Sequence, residues 1–489
     1  MIDRVRSKFG SGIMILVAVS LQFIFIFSYF ALPNACADSK PFKDFQEIKS
    51  SDRIIVFAPH PDDESLGNSG IIRTAVKNRA AIMVVVMTNG DAFEPAFFHN
   101  FLKDQNVTHF IGCIGDMRRL ETINAMRHLG LSDKDIAFLG YPDGGLKRLF
   151  EDYWDNDKLF KMIKGFNPFG PDAVGSNTFD HSPYSFSYEK NAPYSGSNVA
   201  KNLRQIMDEF KPTMIFYPDD GDDHLDHWAT SAFVRYVALE AGFKGETYCY
   251  LIHKGSNWPI PLLYRPDDEL LPPEDILELD ADWFKLPLSK RDRELKEEAV
   301  DSHITQIFAM KNLLKSFVRT NEIFAYYPII DIAKIEDDGF QVHKMPLSSF
   351  KDLRNDAKGD GLQKADDLTS CGFAYDDKNS YLFLKSTDVQ TDLVYDFHLR
   401  IFDGNNYKRI DIKAENGAAR YELKASNSIA SSQPPVFRFD RETGIMSVIV
   451  ERSLFSGARY LLMSADVRLA SGHYIDAVSM RVFRFPDKL

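Results

Sequence analysis

The chain alternates short apolar runs with longer stretches whose apolar residues recur every three or four positions. Arg53-Ile-Ile-Val-Phe-Ala58 is a continuous apolar run, as strands buried on both faces are. Leu66 to Arg79 has helical spacing. Ala81 to Thr88 is a second apolar strand, closed by Asn89-Gly90-Asp91. Met117 to Leu129 carries Leu120, Ile123, Met126 and Leu129 at helical spacing and stops at Gly130. Ile136 to Leu139 reads as a third strand, and Val199 to Phe210 as a helix ended before Pro212. Thr213 to Tyr217 is a fourth strand, and His227 to Ala241 the helix after it. This alternation predicts an α/β domain on an open, mostly parallel sheet.

Elsewhere the pattern changes. Between Phe150 and Ser197 it fails, in a stretch rich in Gly, Pro, Ser, Asn and aromatics (Phe166, Phe169, Phe179, Tyr184, Phe186, Tyr188, Tyr194). A long irregular insertion in a compact domain is a lid or binding loop, or is disordered. The aromatics favour a packed loop, and their faces suit sugar rings as well as a core. Arg291 to Val318 predicts one long, charged helix. Past Lys334 short alternating runs take over: Tyr381–Leu384, Leu393–Phe402, Tyr407–Ile412, Gly444–Val450 and Ala477–Phe483. Short strands separated by turn residues predict a β-sandwich. The expected organisation is an α/β domain over 45–333, with an insertion at about 150–197, followed by an all-β domain over 335–489.

Before residue 45 the chain carries a different signal. Arg4, Arg6 and Lys8 precede an apolar run from Ile13 to Leu32, and Ala35-Cys36-Ala37 precedes Asp38. A positive region, an apolar core and a small-x-small site make a secretory signal, with cleavage expected after Ala37. The run is also long enough to serve as a retained membrane anchor. Either reading places the remainder outside the cytoplasm: periplasmic, extracellular or bound to the cell envelope. The net charge of −12 and the lack of any basic run argue against a nucleic-acid partner. The four cysteines, Cys36, Cys113, Cys249 and Cys371, include no CxxC pair, so no cysteine zinc site is indicated. One disulfide is compatible with export, with its pairing open. The sequence does not define an oligomeric state.

Two segments carry chemistry. Ala58-Pro59-His60-Pro61-Asp62-Asp63-Glu64 follows the first strand directly, and His224-Leu225-Asp226-His227 follows the fourth. Both fall beyond the carboxyl ends of strands, where open α/β sheets place ligands. Two histidines and a carboxylate make a three-ligand zinc site with a position left for water, the mark of a catalytic site. Zinc acidifies that water and polarises a carbonyl. A second carboxylate can act as general base, and a further histidine can stabilise an oxyanion and protonate a leaving amine. His224 and His227 are three apart, so both can face one site at a helix start. A competing reading makes His224 and Asp226 caps of that helix.

With these residues the chain resembles the PIG-L (LmbE-like) family of zinc N-deacetylases over roughly residues 50 to 330. Thr88-Asn89-Gly90-Asp91, Arg118-x-x-Glu121, Leu139-Gly140-Tyr141-Pro142-Asp143-Gly144, and Lys296, Ala299, His303 and Gln306 add to the resemblance. The family has a Rossmann-like fold. By motif it implies His60, Asp63 and His227 as Zn2+ ligands and Asp62 as general base. It implies His224 as electrophilic and acid partner and Asp226 as the residue that orients a histidine. Arg118 would contact substrate, or pair with Glu121 at a helix start. Asp143 would be a sugar-hydroxyl acceptor or a turn residue. The segment Asp219-Asp220-Gly221-Asp222-Asp223 departs from the family. It suits a second cation or a cationic product, though a solvated acidic loop is the reading preferred from the sequence.

The resemblance and the N-terminal signal together imply an exported hydrolase that removes the N-acetyl group from a sugar or glycan. The rivals are a zinc amidase acting on a non-sugar N-acyl substrate, and a glycan-binding protein that works through its C-terminal domain. The intact set His60, Asp62, Asp63, His224 and His227 weighs against the second rival.

Overall fold

A computed structural model describes residues 42–92, 114–163, 178–335, 344–352, 367–387, 393–403, 407–415, 417–422 and 433–486. The expected signal or anchor, Cys36, Cys113, Phe166 and Phe169 lie outside these residues. Among the described residues no helix is long and apolar enough to cross a membrane.

The first domain contains β1 (Lys43–Asp44), β2 (Arg53–Ala58), β3 (Ala81–Thr88), β4 (Ile136–Tyr141), β5 (Met162–Ile163), β6 (Thr178–Phe179), β7 (Met214–Pro218), β8 (Glu246–Tyr250), β9 (Asp282–Pro287) and β10 (Asn321–Tyr326). Its helices are α1 (Asp63–Asn78), α2 (Ile114–Leu129), α3 (Leu146–Glu151), α4 (Gly196–Phe210), α5 (Leu225–Glu240), α6 (Lys290–Asp301) and α7 (Ile304–Ser316). Eight strands form one sheet in the order β1-β9-β10-β8-β7-β2-β3-β4. Only β10 runs against the rest. The central strands β2 and β7 lack alternation because helices cover both faces: Ile54 to Ala58 and Met214 to Pro218 are buried throughout.

The helix expected over Arg291 to Val318 is two helices, α6 and α7, the second of them kinked at Met310 (φ −131, ψ 33). The break falls at His303, whose backbone leaves the helical region (φ −82, ψ 64). Its ring Nε2 lies 2.9 Å from the Ser65 hydroxyl and 3.3 Å from Glu64 Oε1. A contact across the fold, rather than Gly or Pro, stops the first helix. In the insertion most of the described aromatics pack inward, while the Tyr188 side chain is exposed. Tyr184 and Tyr194 are buried, the Tyr188 amide donates to the Phe138 carbonyl at 2.8 Å, and Arg119 covers the Phe186 ring at 4.5 Å.

From Ile330 onward the chain builds two mostly antiparallel sheets. One is centred on Leu393–Phe402 and Tyr460–Leu469, the other on Leu368–Tyr375 and Asn379–Ser386. Phe373, Leu384 and Val448 from one sheet and Phe397, Leu399 and Met463 from the other fill a common core, so the two form a sandwich. The strand expected over Ala477–Phe483 is interrupted: Tyr474–Ala477 and Arg481–Arg484 flank an irregular step. That step delivers the Met480 carbonyl to Arg235 and the Arg481 guanidinium to Asp220, both in the first domain. Phe402, Leu462 and Met480 belong to the first domain's hydrophobic core. Among the described residues, Cys249 and Cys371 are buried and form no disulfide.

Candidate active site

Strands β2 and β7 are parallel neighbours at the sheet centre. From β2 the chain crosses through α1 to β3 on one side, while β7 lies on the other. A crevice opens at the carboxyl ends of strands where the order reverses in this way. The loops leaving β2 and β7 meet there, bringing His60 to Asp226 across 166 positions of sequence.

The first loop is held in an unusual conformation. Asp62 has φ 127 and ψ −30. An L residue adopts this at a cost of about 1–3 kcal/mol, kept where the surroundings enforce it. Here they do. The Asp62 amide donates to Glu64 Oε2 at 3.0 Å, and its carbonyl accepts the Ser65 and Leu66 amides at 2.9 Å. The Arg118 guanidinium clamps the loop from above, donating to the carbonyls of Pro61 at 2.6 Å and Gly90 at 2.8 Å. The two adjacent aspartates thus serve different partners. Asp63 Oδ2 lies 3.3 Å from His60 Nδ1 and 3.2 Å from His227 Nε2. Asp62 Oδ2 lies 3.6 Å from Arg118.

The second loop supplies the rest. His224 caps α5, its Nδ1 accepting the Asp226 amide at 3.2 Å. Asp226 reaches His60 Nε2 at 3.2 Å and accepts the amides of Gly144 at 2.7 Å and Leu146 at 3.0 Å. The segment therefore caps its helix and builds the cluster at once. Asp143 Oδ1 also lies 3.2 Å from His60 Nε2, and its Oδ2 accepts the Ala92 amide at 2.8 Å. Arg118 does not pair with Glu121, which instead accepts the amide and hydroxyl of Thr305.

The acidic segment is not a solvated loop: Asp219, Asp220 and Asp222 are buried. Asp220 is matched by Arg235, at 2.6 Å, and by Arg481. Asp222 is the anchor of the site. It accepts the amides of His224, Ile252 and His253, and its Oδ2 lies 3.0 Å from His227 Nδ1. Its Oδ1 lies 3.1 Å from Nδ1 of His253. The His253 ring lies 4.6 Å, centre to centre, from His227. His253 was missed in the sequence because it follows β8, whose mixed polar and aromatic pattern gave no strand signal. Nor is Lys296 to Gln306 a solvated helix face: Lys296, Ala299, His303 and Gln306 are buried. His303 braces Glu64, and Lys296 Nζ donates to the Leu66 carbonyl at 2.6 Å.

Electrostatics follow from these contacts. Burial, which outweighs Arg118, pushes the Asp62 carboxyl up to about 6. Burial opposes charge on His227, but Asp222 and Asp63 raise it to about 9. His60 is likewise held well above its ordinary value, against burial, by Asp143, Asp226 and Asp63. Burial, followed by His60, His227 and His253, drives His224 down to about 2. The cluster holds more buried carboxylates than cations, and protons on His60 and His227 or a divalent cation can balance it. Both His227 ring nitrogens are buried beside carboxylate oxygens without a well-directed hydrogen bond. Of the three ligands implied by the sequence, His60 and His227 each face Asp63 Oδ2, and Asp222 holds His227 from behind. His60, His224 and His227 also bring ring nitrogens within 4.8 Å of one another.

The sequence model of the PIG-L family, described as GlcNAc-PI de-N-acetylase, matches residues 55–238. Among solved structures the chain is similar to the A40926 pseudoaglycone deacetylase Dbv21, at 16% identity and TM-score 0.35, covering 56% of this chain and 96% of that one. It is similar to the N,N'-diacetylchitobiose deacetylase from Pyrococcus horikoshii, at 16% identity and TM-score 0.34, covering 56% and 83%. It is similar also to the 4-carboxy-2-hydroxymuconate hydratase GalB from Pseudomonas putida, at 13% identity and TM-score 0.33, covering 58% and 98%. Likenesses at this level say nothing of the reaction. No curated protein matched the chain.

Proposed function

Residues 55–238 are a domain of the PIG-L family, and from that premise we propose that the chain is an exported, zinc-dependent hydrolase of the acetamide of an N-acetylated sugar. One observation carries this reading. His60, Asp63 and His227 converge through Asp63 Oδ2, with Asp62 adjacent and turned to a separate partner. His60, Asp63 and His227 would hold the zinc, which supplies a Lewis acid for the acetyl carbonyl and acidifies a water.

The chain's own residues do the remainder. Asp62 takes a proton from the attacking water, and burial makes its carboxylate a stronger base than an exposed one. His224 Nδ1 accepts the Asp226 amide, which places the neutral ring's proton on Nε2. That N–H donates a hydrogen bond to the developing oxyanion. In this reading His224 acts as a neutral hydrogen-bond donor to the oxyanion, since burial disfavours a charge on its ring. Asp62 then returns its proton to the leaving nitrogen as the C–N bond breaks. Water and the amide become acetate and a free amine. Export rests on Arg4, Arg6, Lys8, the apolar run after them and Ala35-Cys36-Ala37.

The test is acetate release by zinc-loaded protein lacking residues 1–37, on N-acetylglucosamine, its oligomers and non-sugar acetamides. The expected result is a kcat/KM at least tenfold higher for sugars. A preference for non-sugar acetamides would move the substrate class, and no release from any of them would sink the reading.

A further inference from the structure

The boundary between the two domains opens into a cleft beside the catalytic helix. Leu225 and Trp228 each follow one residue after His224 and His227, about 100° round α5. The helix therefore turns its histidines to the carboxylate cluster and its next face to the cleft. Leu225, nearly half exposed, lines that cleft together with Asp222, whose carboxylate faces His227. On one side lie Lys147, Asp223 and Trp228 of the α/β domain. Tyr474, Asp476 and Ala477 of the sandwich form the far wall.

That wall is fixed. Arg481 of the sandwich binds Asp220, which itself lines the cleft. Arg468 donates to Glu151 at 3.1 Å, and the Tyr474 hydroxyl donates to the same carboxylate. Met480 lies in the core of the α/β domain. A cleft whose two sides share a core is formed before any ligand arrives.

Its chemistry selects. Asp223, Asp352 and Asp476 line it with one ammonium, that of Lys147, while Lys254 pairs with Asp223 from outside the lining and backbone amides hold the other two carboxylates in place. Lys147 is itself engaged: its Nζ lies 3.8 Å from the Trp228 ring centre, 4.5 Å from that of Tyr474 and 3.5 Å from Glu151. An anionic group would meet like charge here. A ring bearing hydroxyl and amide donors would find carboxylate acceptors beside apolar surface from Leu225 and Ile475.

We propose that this cleft is the subsite for the next, uncharged or cationic, sugar ring attached to the N-acetylated one. The C-terminal domain is thereby a specificity-determining wall of the active site. The proposal rests on the deacetylase reading and extends it from an acetamido sugar to a neutral oligosaccharide.

The test fills the cleft from the sandwich side with Ala477→Trp in the full chain. Should that variant fail to fold, Ala477→Arg brings a longer, flexible side chain to the same place. Acetate release is measured on N-acetylglucosamine and on its dimer to tetramer, and tetramer binding is titrated calorimetrically on the same proteins. The wild type should show kcat/KM at least tenfold higher for the oligomers. The variant should keep the monosaccharide rate within twofold, lose the length preference and bind tetramer at least tenfold more weakly. An unchanged length preference in the variant, or none in the wild type, overturns the subsite while leaving the deacetylase reading intact. If no sugar releases acetate, that reading falls and the titration decides the subsite alone. Binding weakened by the variant then upholds it, and absent or unaltered binding overturns it.

Discussion

Asp222 shows what a single residue does here. One carboxylate accepts three backbone amides and lies within 3.1 Å of the Nδ1 atoms of two histidines, so it sets the orientation of His227 before anything is bound. Loss of such an outer partner costs about 10–100-fold in metal affinity. Asp222→Asn should show that loss in a chelator competition, and an unchanged affinity would remove Asp222 from the site. His224 predicts the opposite pattern. It sits at the helix cap as a neutral donor, so His224→Ala should lower kcat by about 10²–10³-fold. Its metal affinity should stay within a few-fold of wild type, checked by steady-state kinetics beside the same competition. His60, Asp62, Asp63, His224 and His227 were legible because a strand end fixes where each motif sits. Asp222 looked like solvated charge because sequence does not show that Ile252 and His253 supply the donors that bury it. His253 gave no signal at all.

At the scale of elements, α1 is where the motif is braced. Lys296 of α6 donates to the Leu66 carbonyl and, at 2.7 Å, to Glu322 Oε1, while Glu322 accepts the Gly70 amide at 2.8 Å. Both partners are fully buried. Removing one leaves an uncompensated charge, which costs about 3–5 kcal/mol. Lys296→Met should lower the urea unfolding free energy by that amount, and adding Glu322→Gln should recover most of it. Equal stability of the single variant and the wild type would contradict the bracing role. The buried central strands and the helices between them were legible from their apolar runs and spacing. β8, β9 and β10 were not, because Glu246–Tyr250, Asp282–Pro287 and Asn321–Tyr326 mix polar with apolar residues. The α6–α7 break was invisible because its cause is the contact of His303 with Glu64 and Ser65.

The whole molecule is held by a buried charge network where the sandwich meets the α/β domain. Burial would push His398 down, but Asp411 at 3.0 Å and Asp466 at 2.7 Å lift it to about 10. Arg400 neighbours Asp411. Arg468 faces Asp466 and Asp396, and links the network to Glu151 of α3. A histidine raised from its unfolded value of about 6.5 stabilises the fold fully below that value. The stabilisation is lost as pH rises through about 10. At 1.36 kcal/mol per unit the full loss is on the order of 5 kcal/mol. Tm should therefore fall between pH 7 and 10 in the wild type and fall less in His398→Gln, followed by thermal unfolding. Asp411 and Asp466 lie well below the usual carboxylate range despite burial, through Arg400 and His398 for one and Arg468 and His398 for the other. Their contribution is present at neutral pH and lost as pH falls below about 4. The sandwich itself was legible from short alternating runs. Its attachment to the α/β domain was not, because Arg481 reaches Asp220 and Tyr474 reaches Glu151 only when the two domains meet.

The most direct test of the account measures bound zinc and acetate release in parallel on wild type and Asp62→Asn, with an N-acetylated sugar as substrate. The account predicts one zinc per chain in both proteins, acetate from the wild type, and at least a 10²-fold slower rate in the variant. Acetate release by the variant at the wild-type rate, or wild type that binds no zinc when it is supplied, would contradict it.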